Sequence, residues 1–101
     1  MALYDINLCM TNSNTIYIDV RSPEEFGEYS LPGSVNVPVQ NFMFSLDSVF
    51  ELFDKNCITK QTHIVLYCAS GARASVAEQI LRVHDFSHIE NKKSIYDIQA
   101  E

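Results

Sequence analysis

Apolar and polar positions along this chain follow two rhythms. Thr15 to Val20, Ser34 to Val37, His63 to Tyr67 and Ser87 to Glu90 are short runs that predict strands. Thr15 to Val20 is rich in β-branched residues and alternates poorly, which suits a parallel strand buried on both faces. Between these runs the apolar residues recur at helical spacing. Phe42, Leu46, Val49, Phe50 and Phe53 form one such stripe, read as core packing, with Asp47 expected to divide it into two helices. Val76, Ala77, Ile80 and Leu81 mark one face of a second helix, from Ala74 to His84. Ser22, Pro23 and Glu25 have the order of an N-cap, a first helical residue and a capping-box partner, so a short helix should begin there. Pro32-Gly33 reads as a turn, Ile58 to Gln61 as a connector, and Ser94 to Gln99 as a last short helix. Near the start, Leu3 to Ile6 reads as an edge strand or ordered tail, and Thr11 to Asn14 as a turn cluster. Strands alternating with helices predict an α/β fold: a central parallel sheet of about four to five strands with helices on both faces.

Composition narrows the class. The 101 residues suit a single domain, with an N-terminal segment at 1–14 and a core at 15–101, and 47% hydrophobic content is enough for a core. No apolar run reaches the length of a membrane span. The N-terminus has no basic region followed by an apolar stretch, so no secretion signal is visible and a cytoplasmic location is expected. Three cysteines, an odd number, then read as reduced thiols rather than a disulfide framework. A net charge of −6 argues against nucleic acid as a partner. Residues 1–50 carry −5 of it and residues 51–101 carry −1.

The nearly neutral half holds the residues with the clearest chemistry, Cys68-Ala69-Ser70-Gly71-Ala72-Arg73. They stand between the apolar run Ile64 to Tyr67 and the helical run from Ala74. A cysteine on a tight turn that opens a helix meets main-chain N–H groups without partners and the positive end of the helix dipole. Both favour an anion, so a nucleophilic thiolate is expected. Small residues at 69–72 let the backbone curl around the sulfur, Gly71 supplies a conformation closed to other residues, and Arg73 adds a permanent positive charge. In such a sheet, ligands bind beyond the carboxyl ends of the strands, where Cys68 is placed. His63, His84 and His88 have no metal-ligand spacing with one another or with any cysteine, so neither a metal nor a cofactor is expected. Cys9 and Cys57 read as packing or incidental thiols.

Three segments in order carry a resemblance. The six-residue loop resembles the active-site loop of single-domain rhodaneses, which are sulfurtransferases. Tyr17-Ile18-Asp19-Val20-Arg21-Ser22-Pro23-Glu24-Glu25-Phe26 is similar to that family's strand ending in Asp-Val-Arg, followed by a short helix. Leu31-Pro32-Gly33-Ser34-Val35-Asn36-Val37-Pro38 is similar to its Pro-Gly turn and short strand. The related phosphatases and arsenate reductases have one more residue between Cys and Arg, making a wider cradle for an oxyanion. Two features depart from the family pattern. Ser30-Leu31 stands where a His often precedes the Pro-Gly turn. Asn91-Lys92-Lys93-Ser94 replaces a Gly-Gly pair near the active-site rim, which bears on acceptor specificity.

The resemblance implies a rhodanese-like domain that takes a sulfane sulfur from thiosulfate or a persulfide-donating protein as a persulfide on Cys68. A thiol or cyanide acceptor then removes it. Residues 69–73 would form the anion cradle. Arg73 would hold the thiolate or steer an anionic donor, and would pair with Asp19 across the sheet end. Asp19 and Arg21 would orient the loop or brace Glu24 or Glu25. Ser70 is a candidate hydrogen-bond donor to substrate. The alternative from another class is a non-catalytic interaction module, against which the intact Cys68 counts; a phosphatase or arsenate reductase is disfavoured by loop length.

Overall fold

The central pair of strands is the frame on which the rest is hung. In the computed structural model, which describes residues 15–100, β1 (Thr15–Asp19) and β3 (His63–Cys68) run parallel, with Thr15 opposite His63 and Asp19 opposite Tyr67. Ile64, Leu66 and Cys68 point to one face of β3 and join the main core cluster. Val65 and Tyr67 point to the other face and are buried as well. Both faces are covered, so the strand is a continuous apolar run instead of an alternating one. β2 (Val35–Asn36) lies outside β1 and β4 (Ile89–Ser94) outside β3. The sheet order is β2-β1-β3-β4 with all pairs parallel, which is the expected α/β sheet with four strands. The candidate strand Leu3 to Ile6 and turn Thr11 to Asn14 lie outside the described residues.

Five helices connect or follow these strands among the described residues: α1 (Pro23–Glu28), α2 (Val39–Phe44), α3 (Leu46–Lys55), α4 (Ala72–Val83) and α5 (Ile95–Ala100). The α1 capping box forms as its residues predict: Ser22 Oγ accepts from the Glu25 amide and Glu25 Oε1 accepts from the Ser22 amide, with Pro23 at the first position. The aromatic stripe divides, but at Ser45, not Asp47. Asp47 sits inside the first turn of α3, where a carboxylate favours the helix dipole and continues the helix. Phe42, Val49 and Phe53 from the stripe are buried in the core.

The end of the chain differs from the expected layout. β4 starts two residues later than Ser87 and runs through the lysine pair, so Asn91-Lys92-Lys93-Ser94 is strand and not rim loop. Leu66 is opposite Asn91 but Tyr67 is opposite Lys93, leaving Lys92 as the extra residue of a bulge. Pairing with β3 overrides a polar segment that has no strand-like pattern of its own. Asn91 Nδ2 donates to Ser75 Oγ on α4 at 3.2 Å, and Lys92 pairs with Glu90 at 3.2 Å.

Cys57 is disulfide-bonded, contrary to the expectation of reduced thiols throughout; Cys68 is a free thiol. An odd cysteine count leaves room for one pair, so it carries no argument about the redox compartment. Cys9 lies outside the described residues. No helix among the described residues is long and apolar enough to cross a membrane.

Candidate active site

β3 delivers Cys68 to the carboxyl edge of the sheet and α4 begins four residues later. The sulfur is buried, at 0% exposure. Gly71 bridges strand and helix with φ 105° and ψ −24°, a conformation that glycine adopts freely and other residues do not. That turn brings the Gly71 N–H to 2.9 Å from Cys68 Sγ, and the sulfur accepts the hydrogen bond. The expected ring of donors is thus represented at the sulfur by one amide. Gly71 is also the N-cap of α4, and no side chain caps the helix. The helical bonds begin with Ser75 N–H to Gly71 O at 3.0 Å, so the amides of Ala72, Arg73 and Ala74 have no acceptor within the helix. Ala69 is half-buried, whereas Ser70 and Ala72 are exposed and line the outer side of the loop.

Arg73 turns toward α1, not toward Asp19. Its Nη1 donates to Glu25 Oε1 at 2.7 Å and its Nη2 to Glu25 Oε2 at 3.2 Å. Asp19 is already engaged. Arg21 donates to its carboxylate from Nε at 3.0 Å to each oxygen, from Nη2 at 2.8 Å, and from its own amide at 2.8 Å. Both Asp19 and Arg21 are buried, and a buried carboxylate satisfied in this way has little left to offer a second guanidinium. Nor does Arg21 hydrogen-bond Glu24 or Glu25; its remaining Nη2 contact is to the carbonyl of Tyr29, just past α1. It ties the end of β1 to the end of α1.

The Arg73 guanidinium, followed by the Ser22 amide, pulls the Glu25 carboxyl down from 4.5 to about 2. Arg73 is in turn pushed up, first by Glu25, and the Cys68 sulfur adds to that shift. Arg73 therefore lies within electrostatic reach of Cys68. One carboxylate performs two tasks, since Glu25 Oε1 serves both the capping box and Arg73.

Several supporting residues carry no signal of this role in the sequence. Tyr67, next to the cysteine, is fully buried, and its hydroxyl donates to Ser34 Oγ at 3.1 Å and accepts from Leu31 N–H at 3.3 Å. Burial pushes its ionisation up. Asn36 Nδ2 donates to the carbonyls of Asp19 and Arg21, both at 3.0 Å. The Pro-Gly turn marks Leu31 and Ser34 as a structured loop, but nothing in spacing marks Tyr67 as its anchor. The histidines are elsewhere. His63 pairs with Glu90 at 3.2 Å and packs against the His88 ring, at the amino end of β3. Among the described residues no group of His, Cys, Asp and Glu could hold a metal ion.

A four-stranded parallel sheet carrying a buried thiol at its carboxyl edge, beneath a helix N-terminus, defines an α/β protein with a strand–loop–helix cysteine site. The chain belongs to the rhodanese-like domain family, whose model matches residues 7–98. It is 33% identical over 81 residues to the thiosulfate:glutathione sulfurtransferase of Saccharomyces cerevisiae, a match covering 74% of this chain and 57% of that protein. It is 34% identical over 87 residues to a probable molybdopterin-synthase adenylyltransferase of Gracilaria tenuistipitata var. liui, covering 83% of this chain and 22% of that one. These two relatives are longer proteins, and the chain spans about half of the first and about a fifth of the second. The human single-domain sulfurtransferase TSTD1 superposes with a TM-score of 0.71 at 23% identity, covering 98% of this chain and 93% of that one. Thiosulfate sulfurtransferases are among the relatives at about 30% identity.

Proposed function

We propose that this protein is a sulfurtransferase that accepts a sulfane sulfur as a persulfide on Cys68 and passes it to a thiophilic acceptor. One observation carries the reading: the Cys68 sulfur receives the Gly71 amide at 2.9 Å beside a helix N-terminus that no side chain caps. Fixed dipoles of this kind stabilise negative charge on sulfur before and after transfer, without reorganisation. With thiosulfate as donor, the Cys68 thiolate attacks the outer sulfur. A sulfur–sulfur bond forms at Cys68, the one in thiosulfate breaks, and sulfite leaves with the electron pair. Cyanide then takes the outer sulfur as thiocyanate, or a thiol takes it as a persulfide, and the Cys68 thiolate returns.

The loop residues Ala69, Ser70, Gly71, Ala72 and Arg73 serve as the cradle in this reading. Asp19 and Arg21 act one step removed, holding the β1–α1 corner against which Arg73 is anchored. The thiosulfate sulfurtransferases among the relatives support a sulfane donor class. Incubation with thiosulfate followed by intact mass measurement tests the proposal. The expected result is a gain of one sulfur that cyanide removes and that Cys68→Ser lacks. No adduct on the wild type with thiosulfate or a thiol persulfide, or an equal adduct on Cys68→Ser, overturns it and leaves the interaction-module reading. Hydrolysis of aryl phosphates would point to the phosphatase class instead.

A further inference from the structure

We propose that Glu25 sets the donor preference of the Cys68 site: by holding Arg73 in an ion pair, it cancels a cation beside the sulfur and favours persulfides of low charge over the thiosulfate dianion. This rests on the sulfurtransferase reading of Cys68.

The two oxygens of Glu25 face the two terminal nitrogens of Arg73 at 2.7 and 3.2 Å, the paired geometry in which a guanidinium is bound most firmly. Both side chains are about one third exposed, so burial does not force the guanidinium into this position. Glu25 fixes it there. The carboxylate is itself held by the Ser22 amide at 3.0 Å in the first turn of α1, and so draws Arg73 toward α1. The other charged pair in this corner, Asp19 with Arg21, is closed and buried. Two carboxylates and two guanidiniums leave no net side-chain charge there. The loop residues Ala69, Ser70, Gly71 and Ala72 are neutral, and the whole chain carries −6. An approaching dianion meets main-chain dipoles but no uncompensated cation from this corner. A persulfide R–S–SH loses nothing by that. The Cys68 thiolate attacks its terminal sulfur, the sulfur–sulfur bond of the donor breaks, and R–S⁻ leaves with the electron pair and takes up the proton released by the Cys68 persulfide.

Glu25 is thus a positioning residue that acts through Arg73, and paired reagents differing in charge separate that role from a structural one. Alkylation of Cys68 is measured with iodoacetate and iodoacetamide at low ionic strength, with the site read from peptide mass. Sulfur loading is measured with thiosulfate and with cysteamine persulfide, whose ammonium offsets its sulfur charge. Glu25→Gln should raise the iodoacetate-to-iodoacetamide rate ratio about threefold and the thiosulfate-to-persulfide ratio about tenfold, as expected for one uncovered charge acting on a monoanion and a dianion. Both gains should shrink as salt is added, and Glu25→Gln combined with Arg73→Gln should return both ratios to wild type. Unchanged ratios, or equal slowing with every reagent, overturn the inference while sulfur loading by the wild type leaves the sulfurtransferase reading standing. Absence of sulfur loading in wild type and variant alike refutes that reading, and the donor preference with it.

Discussion

Replacing Glu25 by Gln removes a charge but not the oxygen that caps α1, so it isolates what the ion pair contributes to stability. The native carboxyl titrates at about 2, against 4.5 for an unperturbed glutamate. A shift of that size corresponds to an upper bound of about 3 kcal/mol. With a third of each side chain exposed, solvent screening reduces this to about 1 kcal/mol. Because the folded value is depressed, the stabilisation is fully present above the unfolded value of 4.5 and is lost as pH falls from there through about 2. Urea unfolding of wild type and Glu25→Gln near neutral pH should therefore show a gap of about 1 kcal/mol with unchanged m-value. That gap should narrow steadily in acid and close once the wild-type carboxyl is protonated. A gap of constant size across this range would mean that Gln disturbs packing or the cap. No gap at neutral pH would mean that the pair contributes nothing beyond what water offers, and either result refutes the reasoning.

Two further substitutions probe the turns. Gly71→Ala places a side chain at φ 105° and should slow Cys68 alkylation about tenfold, the loss expected when a hydrogen bond to a charged group is weakened; an unchanged rate would remove the amide from the argument. Asp85→Gly should raise stability by about 0.5–1 kcal/mol in urea unfolding, since Asp85 sits at φ 71° just past α4, where glycine is favoured and a carboxylate opposes the dipole. A loss of stability there would contradict it.

The ends of α3 and α4 show how local signals can be hidden. After α3, the Ile58 amide reaches Phe53 O and the Cys57 amide reaches Asp54 O. After α4, the Phe86 amide reaches Leu81 O and the Asp85 amide reaches Arg82 O. Each is the double hydrogen bond that ordinarily follows a helix with glycine in the left-handed position. Here Cys57 and Asp85 occupy it, at φ 60° and 71°, so the sequence carries no glycine to mark either stop. The α1 start was legible because Ser22, Pro23 and Glu25 meet their partners within one turn of chain. β4 was legible only at its start, where Ser87 to Glu90 predicts a strand; its continuation through Asn91–Ser94 was not, because those residues are held by the neighbour β3 and by Asn91 contacts to α4 and lack a strand pattern of their own.

The amino-acid order alone determined the features whose causes lie within a few residues: the apolar runs that become β1 and β3, the helical stripes, the capping box, and a cysteine on a small-residue turn before a helix. The tertiary structure decided which charges meet. Arg73 and Glu25 are 48 residues apart, and their pairing depends on Asp19 being occupied by Arg21 and on α1 lying beside the loop. Hydrophobic periodicity encodes which face is buried, but a salt bridge across the sheet edge is settled by distances that exist only once the chain has folded.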